Sequence, residues 1–293
     1  MSLKPITSTL ARIIGLLALA VGLSACSAIK LGYNNAAELT YWWLDGYLDF
    51  TDEQAPRVRE DLARLHRWHR ENELPRYAQL LQRLEQMLPQ EVSAAEVCAV
   101  AGDIERRLTA LSAQAEPAVV ATALGLDDEQ LRHLQRRYER NNADYRKDWL
   151  ALDEAGQQDK RFKLLLERSE MIYGTLAAPQ QEVLRHQVAR STFDARQFDA
   201  ERQRRQRDAL QTLRSLTTPP MPPGEAVLAM RGYLARARHS PNPVWRRQQE
   251  LLLQEGCRTF AALHNSTTAA QRDSAVRRLR AYRRDLDELA AAR

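Results

Sequence analysis

The sequence lacks the patterns on which strands, membrane spans and the common catalytic centres depend. Runs of Val, Ile and Thr alternating with polar residues at period two are absent, and hydrophobic spacing is helical almost everywhere. That excludes a sheet-based core and makes the expected fold all-α. Beyond residue 25 no apolar stretch approaches the roughly 20 residues a spanning helix needs, so no transmembrane helix is expected there. No Gly-x-Ser-x-Gly, Gly-rich phosphate loop, Cys-x-x-Cys or His-Glu-x-x-His occurs, so nothing positive points to an enzyme. Lysine is scarce, 5 residues against 38 arginines, and the arginines are interleaved with Asp and Glu. Such a mixture makes a solvated, salt-bridged helix surface, and no nucleic-acid partner is expected.

What is present begins at the amino terminus. Lys4 and Arg12 precede an apolar stretch from Ile13 to Leu23, and Ser24-Ala25-Cys26 closes it with small residues. This is the three-part layout of a secretory signal. Leu23-Ser24-Ala25-Cys26 resembles the lipobox of bacterial lipoproteins, whose cysteine takes a diacylglyceryl group before cleavage and whose new amino terminus is then acylated by a palmitate-type chain. The resemblance implies a signal peptide over residues 1–25 and lipid attachment at Cys26. Two or more chains hold a protein stably where one does not, so such an anchor is effectively permanent. Ser27 stands where an aspartate would resemble an inner-membrane retention signal, which implies the inner leaflet of the outer membrane, with the body facing the periplasm.

Removing residues 1–25 takes away two basic and no acidic residues, leaving 41 minus 38, or +3, on the mature chain. Assigning Cys26 to lipid leaves Cys98 and Cys257 in a compartment where disulfides persist. They are either bridged or two buried thiols; a bridge closing so long a loop contributes about 5 kcal/mol in the chain-entropy model.

Capping residues set three before Glu or Gln mark helix starts at Thr51-x-x-Gln54, Ser93-x-x-Glu96, Asp127-x-x-Gln130 and Thr268-x-x-Gln271, with Ala177-x-x-Gln180 a degenerate copy. Val97, Ala101, Ile104, Leu108 and Leu111 form one helical stripe; Leu62, Leu65 and His69 form a second, and Leu279, Tyr282, Leu286 and Leu289 a third. Each is read as core packing. The chain thus reads as a succession of helical hairpins. The proline stretch at 217–224 cannot continue a helix; it divides a helical body, 26–216, from a carboxyl-terminal helical unit, 225–293. His239-Ser240-Pro241-Asn242-Pro243 makes a shorter break.

Residues 33–77 hold 8 of the 19 aromatics. Tyr33-Asn34-Asn35, Tyr41-Trp42-Trp43-Leu44-Asp45-Gly46-Tyr47-Leu48-Asp49-Phe50 and Trp68-His69-Arg70-Glu71-Asn72-Glu73-Leu74-Pro75-Arg76-Tyr77 resemble the amino-terminal block of an uncharacterised, domain-of-unknown-function family of Gram-negative lipoproteins. The detailed match covers about a sixth of the chain; it implies envelope location and helical fold and supplies no activity. The capping repeats separately resemble the Leu-Thr-x-x-Gln motif of periplasmic helical chaperones, although only the copies at Thr51 and Thr268 keep Thr and Gln, and neither keeps the leading Leu.

Three clusters invite a chemical reading. His66, His69 and Glu73 share a helical face with metal-ligand spacing, but a hydrogen-bonded His69–Glu73 pair, with Leu65 and Trp68 packing inward, is the favoured reading and no metal or cofactor is expected. Asp45 and Asp49 lie one turn apart beside aromatics; carboxylates on adjacent turns of one helix point the same way and cannot easily flank a glycosidic bond. Tyr41, Trp42, Trp43 and Tyr47 are ordinary core, which the sequence favours, or a membrane-interface belt, or a partner surface. The expectation is therefore a non-enzymatic, lipid-anchored scaffold or interaction protein that meets the membrane and an unidentified envelope protein; the alternative is a chaperone-like stress protein that binds unfolded clients. Replacing Cys26 with Ser should move the protein from the membrane to the soluble fraction of the cell, and unchanged membrane fractionation would defeat the anchor.

Overall fold

The structure is a computed structural model that describes residues 29–217 and 219–292. The expected signal peptide, residues 1–25, and Cys26 lie outside the described residues. Among those described there is no strand. Helical residues 29–34 lead into α1 (Ala36–Leu48), α2 (Ala55–Asn72), α3 (Leu74–Met87), α4 (Ala94–Leu124), α5 (Asp128–Tyr145) and a π-helical turn (Arg146–Leu150). Then follow α6 (Glu154–Tyr173), α7 (Ala178–Ala189), α8 (Ala195–Thr217), α9 (Pro223–Arg238), α10 (Pro243–Asn265) and α11 (Ala269–Ala291).

The capping signals form as bonds. Ser93, Asp127 and Thr268 each accept from the amide three residues on, while the side chain of Glu96, Gln130 or Gln271 accepts from the cap amide in return. At Ala177 only the second half can form, Gln180 Oε1 accepting from the Ala177 amide at 2.9 Å. The residues just before the caps Asp127 and Ala177, Leu126 and Leu176, are buried as apolar staples. Other ends are equally local. Asp49, at φ 51°, closes α1 in the left-handed region that Asp tolerates, and the Phe50 amide donates to Asp45 Oδ1 at 3.0 Å. Gly174, at φ 78°, closes α6.

The four starts that carry glutamine do more than cap. Gln54 and Gln130 face each other: Gln54 Nε2 donates to Gln130 Oε1 at 3.1 Å, and Gln130 Nε2 donates to Gln54 Oε1 at 2.7 Å. The second hydrogen of each amide reaches a carbonyl beside its partner, Gly125 O at 2.6 Å and Asp49 O at 3.0 Å. Gln180 and Gln271 repeat the arrangement, at 2.7 and 3.0 Å to one another, with Ser266 O at 3.1 Å and Thr175 O at 3.0 Å. In all four cases the carbonyl belongs to the residue five before the partner glutamine. Each glutamine also accepts from its own cap amide, so both hydrogens and the carbonyl oxygen are engaged. One clasp joins hairpin α1–α2 to hairpin α4–α5; the other joins α6–α7 to α10–α11.

The two halves are then fixed to one another. Cys98 in α4 and Cys257 in α10 are disulfide-bonded, with Cα atoms 5.4 Å apart. The Asn265 side chain donates to Val92 O at 3.0 Å and accepts from the Val92 amide at 2.9 Å. His264, fully buried, bridges Gln90 O and the Tyr173 hydroxyl, each at 2.8 Å. Because a carbonyl only accepts, Nε2 carries the proton and Tyr173 donates to Nδ1. One core cluster lies under the second clasp, built on Phe162, Tyr173, Leu176, Leu184, Leu263 and Val276; another links α4 to α8 and α9 through Val120, Ala123, Leu216, Ala226 and Met230.

The proline stretch falls between α8 and α9, and helices beyond it pack on helices before it: α9 on α4 and α8, α10 on α4 and α7, α11 on α3 and α6. Glu85 of α3 accepts from Arg283 Nε of α11 at 2.7 Å. The shorter break is seated by the buried Glu201, which accepts from Ser240 Oγ at 3.1 Å. One stripe departs from the core expectation: Ile104 and Leu108 are exposed, on a stretch of α4 that meets its neighbours through Asp103 and Arg107, paired with Arg83 and Glu73.

The clasp makes a specific demand on residue type. Glutamate serves a capping box alone, but it has no hydrogen to return to a partner and here would bury an uncompensated charge. Gln130→Glu should therefore lower unfolding stability by about 2–3 kcal/mol, while Glu96→Gln, whose box stands alone, should change it by less than about 0.5 kcal/mol; denaturant midpoints compare the two.

Candidate functional site

The first clasp leaves space above it. Hairpin α1–α2 and hairpin α4–α5 are joined at their turns by the paired glutamines and flanked by α8 and α9, and between them lies an apolar cleft of about 590 Å³. Trp43, Leu44, Tyr47 and Leu48 of α1 recur at helical spacing along one wall; Val58, Leu62 and Leu65 of α2 form the next. The α4 wall is built of Ala115, Ala118, Val119, Thr122 and Ala123, none of them with a long side chain. Phe50 and Leu126, the residues before the two caps, lie at the clasp end, and Met230 and Tyr233 of α9 line the cleft from above.

The polar groups at its edge are engaged with each other. Asn141 Nδ2 donates to the Tyr47 hydroxyl at 2.8 Å, and Asn142 donates to Gln206 Oε1 at 2.8 Å. Asp61, buried, is paired with Arg64, and Arg202 with Asp199 at 2.7 Å. Burial pushes the Tyr138 hydroxyl up to about 12 and raises that of Tyr233, so neither ionises near neutrality. The cleft thus offers apolar surface and neutral hydrogen-bonding groups.

The aromatic residues of α1 divide between the two faces of the helix. Tyr41 is buried, with the Arg59 guanidinium 3.6 Å from its ring centre and Phe50 stacked at 5.9 Å. Tyr47 is half-buried in the cleft. Trp42 and Trp43 are 59% and 61% exposed, which removes them from the core that the sequence favoured.

The other candidates are structural. Asp45 is occupied by the Phe50 amide, and Asp49 is largely exposed, 3.7 Å from His133 Nδ1. The expected His69–Glu73 pair does not form: His69 Nδ1 bonds the Tyr33 hydroxyl at 2.9 Å, while Glu73, fully buried, accepts from Arg76 at 3.1 Å and lies 3.9 Å from Arg107. A third ring, Tyr33, thus takes the histidine that the helix spacing offered to the carboxylate. Among the described residues no three His, Cys, Asp or Glu gather as metal ligands, and no helix is long and apolar enough to cross a membrane.

Residues 46–220, more than half of the chain, match DUF6279, a family of unknown function. The chain belongs to this family. No curated protein and no solved structure matches it. The DUF6279 segment begins at Gly46 and ends at Pro220, so it holds the first clasp and the walls given by α2, α4, α5 and α8. Tyr33, Trp42 and Trp43 precede it, and so do the first words of the aromatic block on which the resemblance was drawn. Missed in the sequence were the small α4 residues and Tyr138 and Tyr233, whose approach depends on how distant helices meet; the one legible signal was Gln in place of Glu at four capping positions.

His66, His69 and His264 are all pushed below the ordinary 6.5, first by burial. A depressed histidine is neutral in the folded protein and takes up a proton more readily once unfolded, so stability is full above 6.5 and declines as pH falls below it. The melting temperature should drop between pH 7 and pH 5, and His264→Gln should flatten that slope while lowering the melting temperature at pH 7.5. A pH-independent melting temperature across this window would contradict the burial of these rings.

Proposed function

We propose that the protein is a lipid-anchored, periplasm-facing interaction protein of the bacterial envelope, without catalytic activity, that holds an apolar segment of a partner protein in the cleft between its first two hairpins. The observation that carries this reading is the cleft itself. Its volume lies in the range of binding pockets, its walls are aliphatic and aromatic, and its charged groups are already paired within the protein. A helix with apolar residues at i, i+3, i+4 and i+7 matches a groove of this kind. The lipobox at Cys26 supports the address, and the inner leaflet of the outer membrane is the destination that Ser27 supports.

A second reading is favoured by the four glutamine starts. Two of them, Thr51-x-x-Gln54 and Thr268-x-x-Gln271, keep the Thr and Gln of Leu-Thr-x-x-Gln without its leading Leu, which supports kinship with periplasmic helical chaperones. In that reading the same cleft takes exposed apolar segments of unfolded clients rather than one dedicated partner.

Both readings share a first test. An amphipathic helical peptide should change the emission of Trp43 at the lip of the cleft, and Ala118→Phe, which fills the space, should weaken binding at least tenfold with the melting temperature unchanged. Suppression of client aggregation by the same protein would select the chaperone reading; peptide binding without suppression at molar excess would select the dedicated partner. Neither binding nor suppression would overturn the assignment of the cleft.

A further inference from the structure

The helix that leads out from the proposed anchor carries an apolar face that the described residues leave exposed. Leu31, Leu39, Trp42 and Trp43 are between 57% and 67% exposed. At 100° per residue they fall within a sector of about 120°. The backbone bonds Asn35 N–Leu31 O, 3.2 Å, and Leu39 N–Asn35 O, 2.9 Å, carry one helical surface through the turn at residue 35. The helix cannot relieve the exposure by rolling, because its other face is fastened. Tyr33 is bonded to His69, Tyr41 is pinned under Arg59, and Lys30 pairs with Asp285 of α11 at 3.3 Å and with Glu288. Contiguous exposed apolar surface of this kind marks an interaction site, and adjacent tryptophans suit the headgroup region, where the ring is apolar and its N–H is wet.

We infer that this face, formed by Leu31, Leu39, Trp42 and Trp43, docks flat on the surface of the bilayer that holds the lipid anchor. The inference rests on the anchored reading above. The occupant follows from where the remaining chain joins: Cys26 lies five residues before Leu31, a span of at most about 18 Å even when extended. Lipid at Cys26 therefore brings this face within reach of the headgroups, and an amphipathic helix laid in the interface adds to the hold of covalent chains. Trp43 belongs both to this face and to the wall of the cleft, so docking sets the cleft mouth at the membrane surface.

The test uses the native protein, purified from membranes in detergent and reconstituted into phosphatidylethanolamine–phosphatidylglycerol vesicles with brominated acyl chains, which quench tryptophan only at short range. Docking predicts strong quenching that falls to less than a third in Trp42→Phe/Trp43→Phe. Leu31→Ser/Leu39→Ser keeps both tryptophans and should also reduce quenching at least threefold, with the circular dichroism unchanged. Leu228→Ser/Leu253→Ser, a matched loss of exposed leucines elsewhere, should leave quenching intact; an equal loss there would overturn the inference. Flotation with the vesicles reports the anchor separately. Protein that floats while its tryptophans stay unquenched keeps the anchor and loses the docking face. If Cys26→Ser floats as fully as native protein and is quenched, the anchor fails and the docking face stands. Unquenched tryptophans together with a detergent-soluble dimer that Leu31→Ser/Leu39→Ser dissociates would assign the face to a second copy and overturn bilayer docking.

Discussion

Four of the hairpins are set against one another by one kind of interaction, the reciprocal pairing of two glutamines at helix starts. A primary amide has two hydrogens to give and an oxygen that accepts twice, and in each clasp all of these are committed: to the cap of its own helix, to the partner amide and to a carbonyl five residues before the partner. Shifting one hairpin by a turn against the other would break the bonds of both amides and strand that of Gln130 or Gln180, which is buried; a stranded buried group costs about 1–3 kcal/mol. The clasp therefore sets register as well as proximity. It also ties the start of a helix, where amides are unsatisfied, to the loop of another hairpin, so capping and tertiary packing are one set of bonds.

Two copies of this device with different fillings give the molecule its asymmetry. Between the hairpins of the second clasp, Phe162, Tyr173, Leu184 and Leu263 form a core cluster that leaves a smaller cleft of about 270 Å³, and His264 links that core to Gln90. Beside the first clasp, α4 presents Ala115, Ala118, Val119, Thr122 and Ala123, and a cleft of about 590 Å³ persists. A void of that size lined by apolar atoms would be costly in a core with freedom to collapse. The hairpins have no such freedom, because the clasp, the α8–α9 cover and the Cys98–Cys257 bridge hold α4 at several points along its length.

The helices were legible in the sequence because their signals are local. Cap, staple and N3 residue lie within five positions, and four starts form where they were read, apart from the missing side-chain acceptor at Ala177; Thr51 and Gln54 bond each other, but the turn they close precedes α2, which starts at Ala55. The clasps were half legible: Gln rather than Glu at residues 54, 130, 180 and 271, against Glu96 in the one unpaired box, distinguishes amides that must donate outward from one that need only accept. Which glutamine meets which was not legible, since the pairs are 76 and 91 residues apart. Periodicity failed in a different manner. It reports that Ile104, Leu108, Trp42 and Trp43 share faces with other apolar residues, but it cannot report whether a second surface arrives to cover those faces. On α4 and on α1 the described residues leave those faces exposed. The same blindness hid Tyr33, which claims His69 from the far side of a neighbouring helix.

The anchored reading changes what the cleft has to achieve. A partner confined to the same membrane meets the tethered protein at an effective concentration in the millimolar range for short links, so a modest intrinsic affinity suffices for occupancy. A shallow apolar cleft without a charged anchor point, such as this one, would be a weak site for a freely diffusing ligand, since association must first offset several kcal/mol of lost translational and rotational freedom. Tethering removes much of that cost, and rigidity removes more: the clasp, Tyr47–Asn141 and Arg59–Tyr41 contacts keep the cleft formed when empty. Under this reading the short link from Cys26, the tryptophan face and the preformed cleft act in one direction, each lowering the affinity that the others must supply.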